Sequence, residues 1–178
     1  MAKPLFISVN ELKKKSVIDG NVDDDKILQY IEVAQDTHIQ NYMGSSLYRK
    51  FQTLITAYAA DDTTGMGDAS NSAYNTLWRD YVKPMMIWFA QDSFLPFAMF
   101  QITNGGVYKH LSDSSETITV EELRIMQQEV RQNAEFYARR FIEYVRDNES
   151  SFAEYQTQDN DSDLYPDKDA NYAGGWVL

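Results

Sequence analysis

Cysteine is absent from this chain of 178 residues. That excludes disulfides, thiolate nucleophiles and zinc–thiolate clusters, and it leaves the redox compartment open. Histidine is scarce too. His38 and His110 are the two present, and a shared metal site would need more donors at matching spacing. Cations are outnumbered, with 16 Lys and Arg against 27 Asp and Glu for a net charge of −11. A surface built to grip phosphates needs clustered Lys and Arg, so such a surface is not expected. Passage of a duplex alongside is still allowed, because an acidic wall repels DNA and keeps it from sticking; the same charge would equally serve solubility alone. No apolar run approaches the ~20 residues of a membrane helix. The greasiest segment, Met85 to Ile102, is interrupted by Gln91, Asp92, Pro96 and Gln101 and reads as the buried centre of a fold. Pro4-Leu5-Phe6-Ile7 is too short for a signal-peptide core. Asn104-Gly105-Gly106 lacks the Gly-Lys-Ser/Thr continuation of a phosphate loop, and no Ser nucleophile elbow occurs.

What remains is helix grammar. Ser8 and Glu11 have the spacing of a capping box that opens a short helix. Asp19-Gly20-Asn21 breaks it. Asp23, Asp24 and Asp25 then stand where acids favour a new helix N-terminus. Ile27, Ile31, Ala34, His38 and Tyr42 recur at threes and fours, one face of a helix that Gly44 ends as a left-handed cap. His38 on that face reads as a half-buried packing residue. Ser45 or Ser46 can cap the next helix, whose stripe is Leu47, Phe51, Leu54, Ile55 and Tyr58. Residues 61–71 (DDTTGMGDASN) read as an exposed, mobile loop. Helical pattern resumes at Ser72 with Tyr74, Leu77, Trp78, Tyr81 and Val82. Pro84 either kinks that helix or starts another, and Pro96 bends it again. Asn104-Gly105-Gly106 between β-branched and aromatic residues signals a hairpin turn; a helix C-cap would use the same glycines. Thr119 and Glu122 form a second capping box before the strongest helix, ~28 residues and ~40 Å long, striped by Leu123, Met126, Val130, Ala134, Tyr137, Phe141 and Val145.

The opening order is a short capped helix, an Asp-rich turn, a long amphipathic helix and a glycine stop. It resembles the N-terminal half of the head–tail connector (adaptor) proteins of tailed bacteriophages. The matching residues are Phe6-Ile7-Ser8, Glu11-Leu12, Ile18-Asp19-Gly20, Asp23 to Asp25, and Ile27 to Gly44. The resemblance implies a non-enzymatic, mainly helical virion protein. Such a protein is made in the host cytoplasm and forms a ring, commonly twelve-fold, between the portal and the next neck or tail ring. DNA would pass through that ring without sequence-specific binding. C-terminal segments in such proteins reach out to clasp the portal.

The fold class expected is all-α: a bundle of about five helices in residues 1–149, with a small hairpin or extended turn near 102–110. An extended acidic arm over 150–178 would follow. Residues 149–169 carry seven acids and one Lys168, without periodicity, as disordered chains do. By analogy the arm would bind a partner through Tyr165, Tyr172, Trp176, Val177 and Leu178, with Asn104, Gly105 and Gly106 a second contact; a frayed terminus is the plainer alternative. Aromatics reach 13%, enough either to serve partner contacts or to fill helix seams. Asp159, Asp161 and Asp163 have the spacing of a calcium loop, but Leu164 and Ala170 stand where it requires Gly and Glu. No catalytic residue, cofactor or metal is expected. Rival readings are a stopper, tail-ring or capsid-associated subunit, and an unrecognised helical enzyme.

Overall fold

Ser8 opens α1 (Val9–Lys15) by accepting a hydrogen bond from the Glu11 backbone N–H at 3.1 Å. The Glu11 carboxylate turns away from its own helix end to Lys83, 3.1 Å away on a later helix, so half of a local cap becomes a tie between distant elements. Lys13 gathers the following turn, donating to the carbonyls of Gly20 and Val22 and to the Asp24 carboxylate. Asp24 and Asp25 occupy the first turn of α2 (Asp24–Ala34), where their charge opposes the helix dipole. The structure, a computed structural model, describes residues 3–18, 20–98, 100–103, 106–109, 119–156 and 163–168.

From α2 the chain runs through a π-helical turn (Gln35–Ile39) into α3 (Gln40–Ala60), which is broken at Gly44. Gln35 is fully buried at the start of that turn. Its Oε1 accepts the Phe6 N–H at 2.9 Å, and its Nε2 donates to the Pro4 carbonyl and the Tyr48 hydroxyl, both at 3.0 Å. One side chain thereby does for the extended N-terminal segment what a neighbouring strand would do. Gln35→Leu should leave the buried Phe6 N–H unpaired, since the Tyr48 hydroxyl keeps Asp36 as a partner, at a cost on the order of 2 kcal/mol. A lowered urea midpoint with unchanged slope would register it; an unaltered midpoint would show the clamp to be dispensable.

A second π turn, Trp78–Val82, joins α4 (Ser72–Leu77) to α5 (Lys83–Ala98). Pro84 explains it: proline lacks an N–H and its ring crowds the carbonyl four residues back. That carbonyl belongs to Asp80, inside the widened turn. Helical structure thus continues through Pro84, and Pro96 lies inside α5 near its end. The greasy segment is buried as expected at Met85, Met86, Ile87, Phe89, Ala90 and Leu95. Strands β1 (Phe100–Thr103) and β2 (Gly106–Lys109) pair antiparallel with Thr103 opposite Gly106. That register makes a hairpin with two connecting positions, so the hairpin alternative holds over the helix cap. Thr119 and Glu122 form a complete capping box before α6 (Val120–Asp147). The buried side of α6 includes Leu123, Val130, Ala134, Ala138, Phe141 and Val145, and packs chiefly on α5.

The result is an all-α bundle. Its rods are α1, the two halves of the α2–α3 run on either side of Gly44, the α4–α5 run, and α6. Among the described residues, no helix is long and apolar enough to cross a membrane.

Two expectations change. Residues 61–71 are mostly exposed, as expected, but 3₁₀ turns form at Gly65–Gly67 and Ala69–Asn71, and Met66 is fully buried as a plug. Gly65 has φ +56°, and a Cβ there would lie 2.1 Å from the Leu54 carbonyl oxygen, so only glycine lets the plug seat. The body also continues past residue 149. A 3₁₀ turn (Glu149–Ser151) leads into α7 (Ala153–Gln156), and Phe152 is 0% and Tyr155 3% exposed. Glu149 is exposed and Glu154 half-buried, while the two rings are buried between them and the body, so the composition of the stretch hides its core residues. Phe152 completes an aromatic seam. Phe6 packs on Tyr48 and Phe51, Phe51 on Tyr74, Tyr74 on Phe152, Phe152 on Tyr144, and Tyr144 on Tyr81. These rings fill helix seams.

Candidate interaction surface

Gly44 has φ +70° and ψ 160°, backbone that is essentially restricted to glycine. It ends the first half of the α2–α3 run as expected, though not in the left-handed helical cap conformation. Breaking the helix here frees backbone groups on both sides, and buried backbone groups need partners. The partners come from the far end of the chain. The Ser45 N–H donates to the Leu164 carbonyl at 3.0 Å, and the Asn41 carbonyl accepts the Asp167 N–H at 2.9 Å. The Ser45 hydroxyl accepts the Leu164 N–H at 3.2 Å and donates to the Asp163 carboxylate. That hydroxyl also holds the Asp163 carboxyl below its ordinary range. Pro166 lies against Gly44, where a Cβ would come within 2.6 Å of its Cδ.

Residues 163–168 thus form an extended strap across a notch in the helix. Lys168 closes its end, donating to the Gln156 side chain at 3.2 Å with its ammonium 5.4 Å from the Tyr155 ring centroid. A cavity of about 130 Å³ lies beside the strap, lined in part by Ser46, Glu154, Tyr155 and Leu164. Burial pushes the Tyr155 hydroxyl up to about 12.

Of the partner-binding candidates, Tyr165 is in the strap and 56% exposed. Gly106 begins β2. Asn104, Gly105, Tyr172, Trp176, Val177 and Leu178 lie outside the described residues. The structure therefore brings Tyr165 to the notch. Of the calcium-like run, Asp163 is described, and it is engaged with Ser45. Among the described residues no group of three or more His, Asp or Glu is placed to hold a metal.

Sequence reasoning missed a charged cluster where α5 and α6 meet the first π turn. His38 stacks on Phe89 with ring centroids 4.2 Å apart. Asp92, 3% exposed, accepts two hydrogen bonds from Arg131, at 2.9 and 3.1 Å. Burial lowers the His38 pKa; the Asp92 charge opposes that shift and the Arg131 charge adds to it. A histidine whose folded pKa lies below its ordinary 6.5 binds fewer protons folded than unfolded. Its contribution to stability is then intact above 6.5 and is lost as pH falls through 6.5 toward the folded value. Replacing His38 by Phe should flatten this part of the acid profile; identical wild-type and H38F profiles below pH 6.5 would contradict it.

An all-α bundle whose broken helix is stitched by its own C-terminal strap defines the class to which this chain belongs structurally. By sequence, the chain is a member of DUF6712, a family of unknown function, whose pattern matches residues 39–163. The match runs from the end of the first π turn, through the Gly44 notch, to the first strap residue. No curated protein matches the chain. No solved structure matches it either.

Proposed function

We propose that this protein is a structural subunit of a bacteriophage particle, a head–tail connector that assembles into a ring between the portal and the next neck or tail component. The element order of the N-terminal half carries the reading: the Ser8-capped α1, the acid-led α2 and the glycine break at residue 44 follow the order that resembles connectors. Assembly rather than catalysis is its activity. A ring interface is heterologous and must close on itself. With a net charge of −11, the wall of such a ring would let DNA pass without holding it.

Within this reading the portal-binding arm is residues 169–178, with Tyr172, Trp176, Val177 and Leu178 as its apolar anchor. Residues 150–156 and 163–168 belong to the body, since Phe152 and Tyr155 are core and 163–168 are strapped down. Deleting 169–178 should leave the bundle intact and abolish attachment to a portal ring. Undiminished attachment would reject the arm. A density map of the assembled particle tests the whole reading: copies should ring the vertex through which the genome leaves, and their absence there would refute it. Finding them lower in the neck would favour the stopper or tail-ring alternative.

A further inference from the structure

The strap and its notch are unequal partners. The notch is built and needs an occupant. Gly44 and Ser45 are buried, and without the strap the Ser45 N–H loses its acceptor and the Asn41 carbonyl loses the Asp167 N–H. The strap is held lightly. None of residues 163–168 is buried, and Leu164 and Tyr165 are 38% and 56% exposed. Its grip includes backbone hydrogen bonds, the contacts of the Ser45 hydroxyl with Asp163 and Leu164, Pro166 on Gly44, and Lys168 on Gln156 and the Tyr155 ring. Each hydrogen bond adds only a modest net stability, and segments with few buried apolar contacts open well below the global unfolding energy.

Every one of those contacts recognises an extended Asp163-Leu164-Tyr165-Pro166-Asp167-Lys168 segment, and each copy of the chain carries one. We propose that in the assembled state the notch of each subunit is filled by the strap of its neighbour. Such an exchange sacrifices no contact, since the same bonds re-form between copies. Notch and strap are different surfaces of one chain, so each subunit gives with one and receives with the other. That contact is heterologous, the kind that closes into rings. The proposal rests on the ring reading for closure, while the exchange itself stands on the notch geometry.

The absence of cysteine allows a direct test. Two single variants of the full chain, Ser45→Cys and Asp163→Cys, are mixed and oxidised under conditions where the chain assembles. These side chains touch in the closed strap. Exchange gives a covalent heterodimer, twice the 20.6 kDa chain mass, with the S45C–D163C disulfide confirmed by peptide mass spectrometry. Ser45 is buried, so a second pair, Asn41→Cys with Asp167→Cys, guards against a misfolded variant; those residues adjoin through the Asn41 carbonyl. If assembled samples yield no interchain link from either pair, while the corresponding double variants link within one chain, the exchange is refuted and the ring reading survives. If the chain does not assemble even with a portal ring and no link forms, both fail.

Discussion

A chain ending at residue 149 should not fold to the native bundle. The cut removes Phe152, which is fully buried between Tyr74 and Tyr144, and Tyr155, which packs edge-on to Phe141. Losing one buried phenylalanine side chain costs about 3–5 kcal/mol, against a total stability of roughly 5–15 kcal/mol for a typical domain. The cut also removes Glu154, which accepts the Tyr74 hydroxyl at 2.6 Å, and with it the strap. A chain ending at residue 168 keeps all of these. Thermal melts followed by near-ultraviolet circular dichroism separate the two. The shorter chain should show no cooperative transition, or one far below that of the full chain, while the longer should melt with the full chain. A residue 1–149 product that melts at the full-length temperature would show that Phe152 and Tyr155 are not core.

Gly44→Ala should damage the fold at the notch in particular. The backbone conformation alone costs a non-glycine residue about 1–3 kcal/mol. The added methyl would also fall 2.6 Å from Pro166 Cδ and 2.9 Å from Pro166 N, so the strap must lift. Hydrogen exchange distinguishes this from general destabilisation. The Ser45 and Asp167 amides, which bond across the notch, should lose protection far more than amides in the middle of α6. Uniform loss of protection across the bundle, or none at the notch, would count against a strap anchored at this glycine.

Much of this fold can be read from local sequence because its determinants are local. Thr119 and Glu122 lie one helical turn apart and cap each other. The α6 stripe repeats at helical spacing, and Gly44 marks its own break. The hidden features depend on residues far apart in the chain. Glu11 could satisfy its own helix end but pairs with Lys83. Gln35 reads as one polar residue among many until Pro4 and Phe6 come alongside it. Asp92 is buried because Arg131, 39 positions later, meets it. The strap is the extreme case, since nothing near Pro166 announces Gly44. Phe152 and Tyr155 do carry a local signal: they stand three apart in an acidic stretch, the spacing of a single helical turn with an inward face.

The same distinction bears on the interaction surface. Tyr165 stands out in sequence as an aromatic in a polar tail, and the structure leaves it exposed beside the notch. Its groove-forming counterpart, Gly44 with Ser45, reads in sequence as an ordinary helix stop. The second use of that stop follows from steric room and freed backbone groups, which exist only in three dimensions.

The most direct measurement is the mass of the purified full-length chain in solution, taken with and without a portal ring. A connector that waits for its template is monomeric alone, so the informative sample is the one containing portal. The expected result is a complex that gains a complete ring of subunits, on the order of twelve copies of the 20.6 kDa chain. A chain that stays at monomer mass at every concentration, with portal present, would contradict the claim that it is a ring-building subunit.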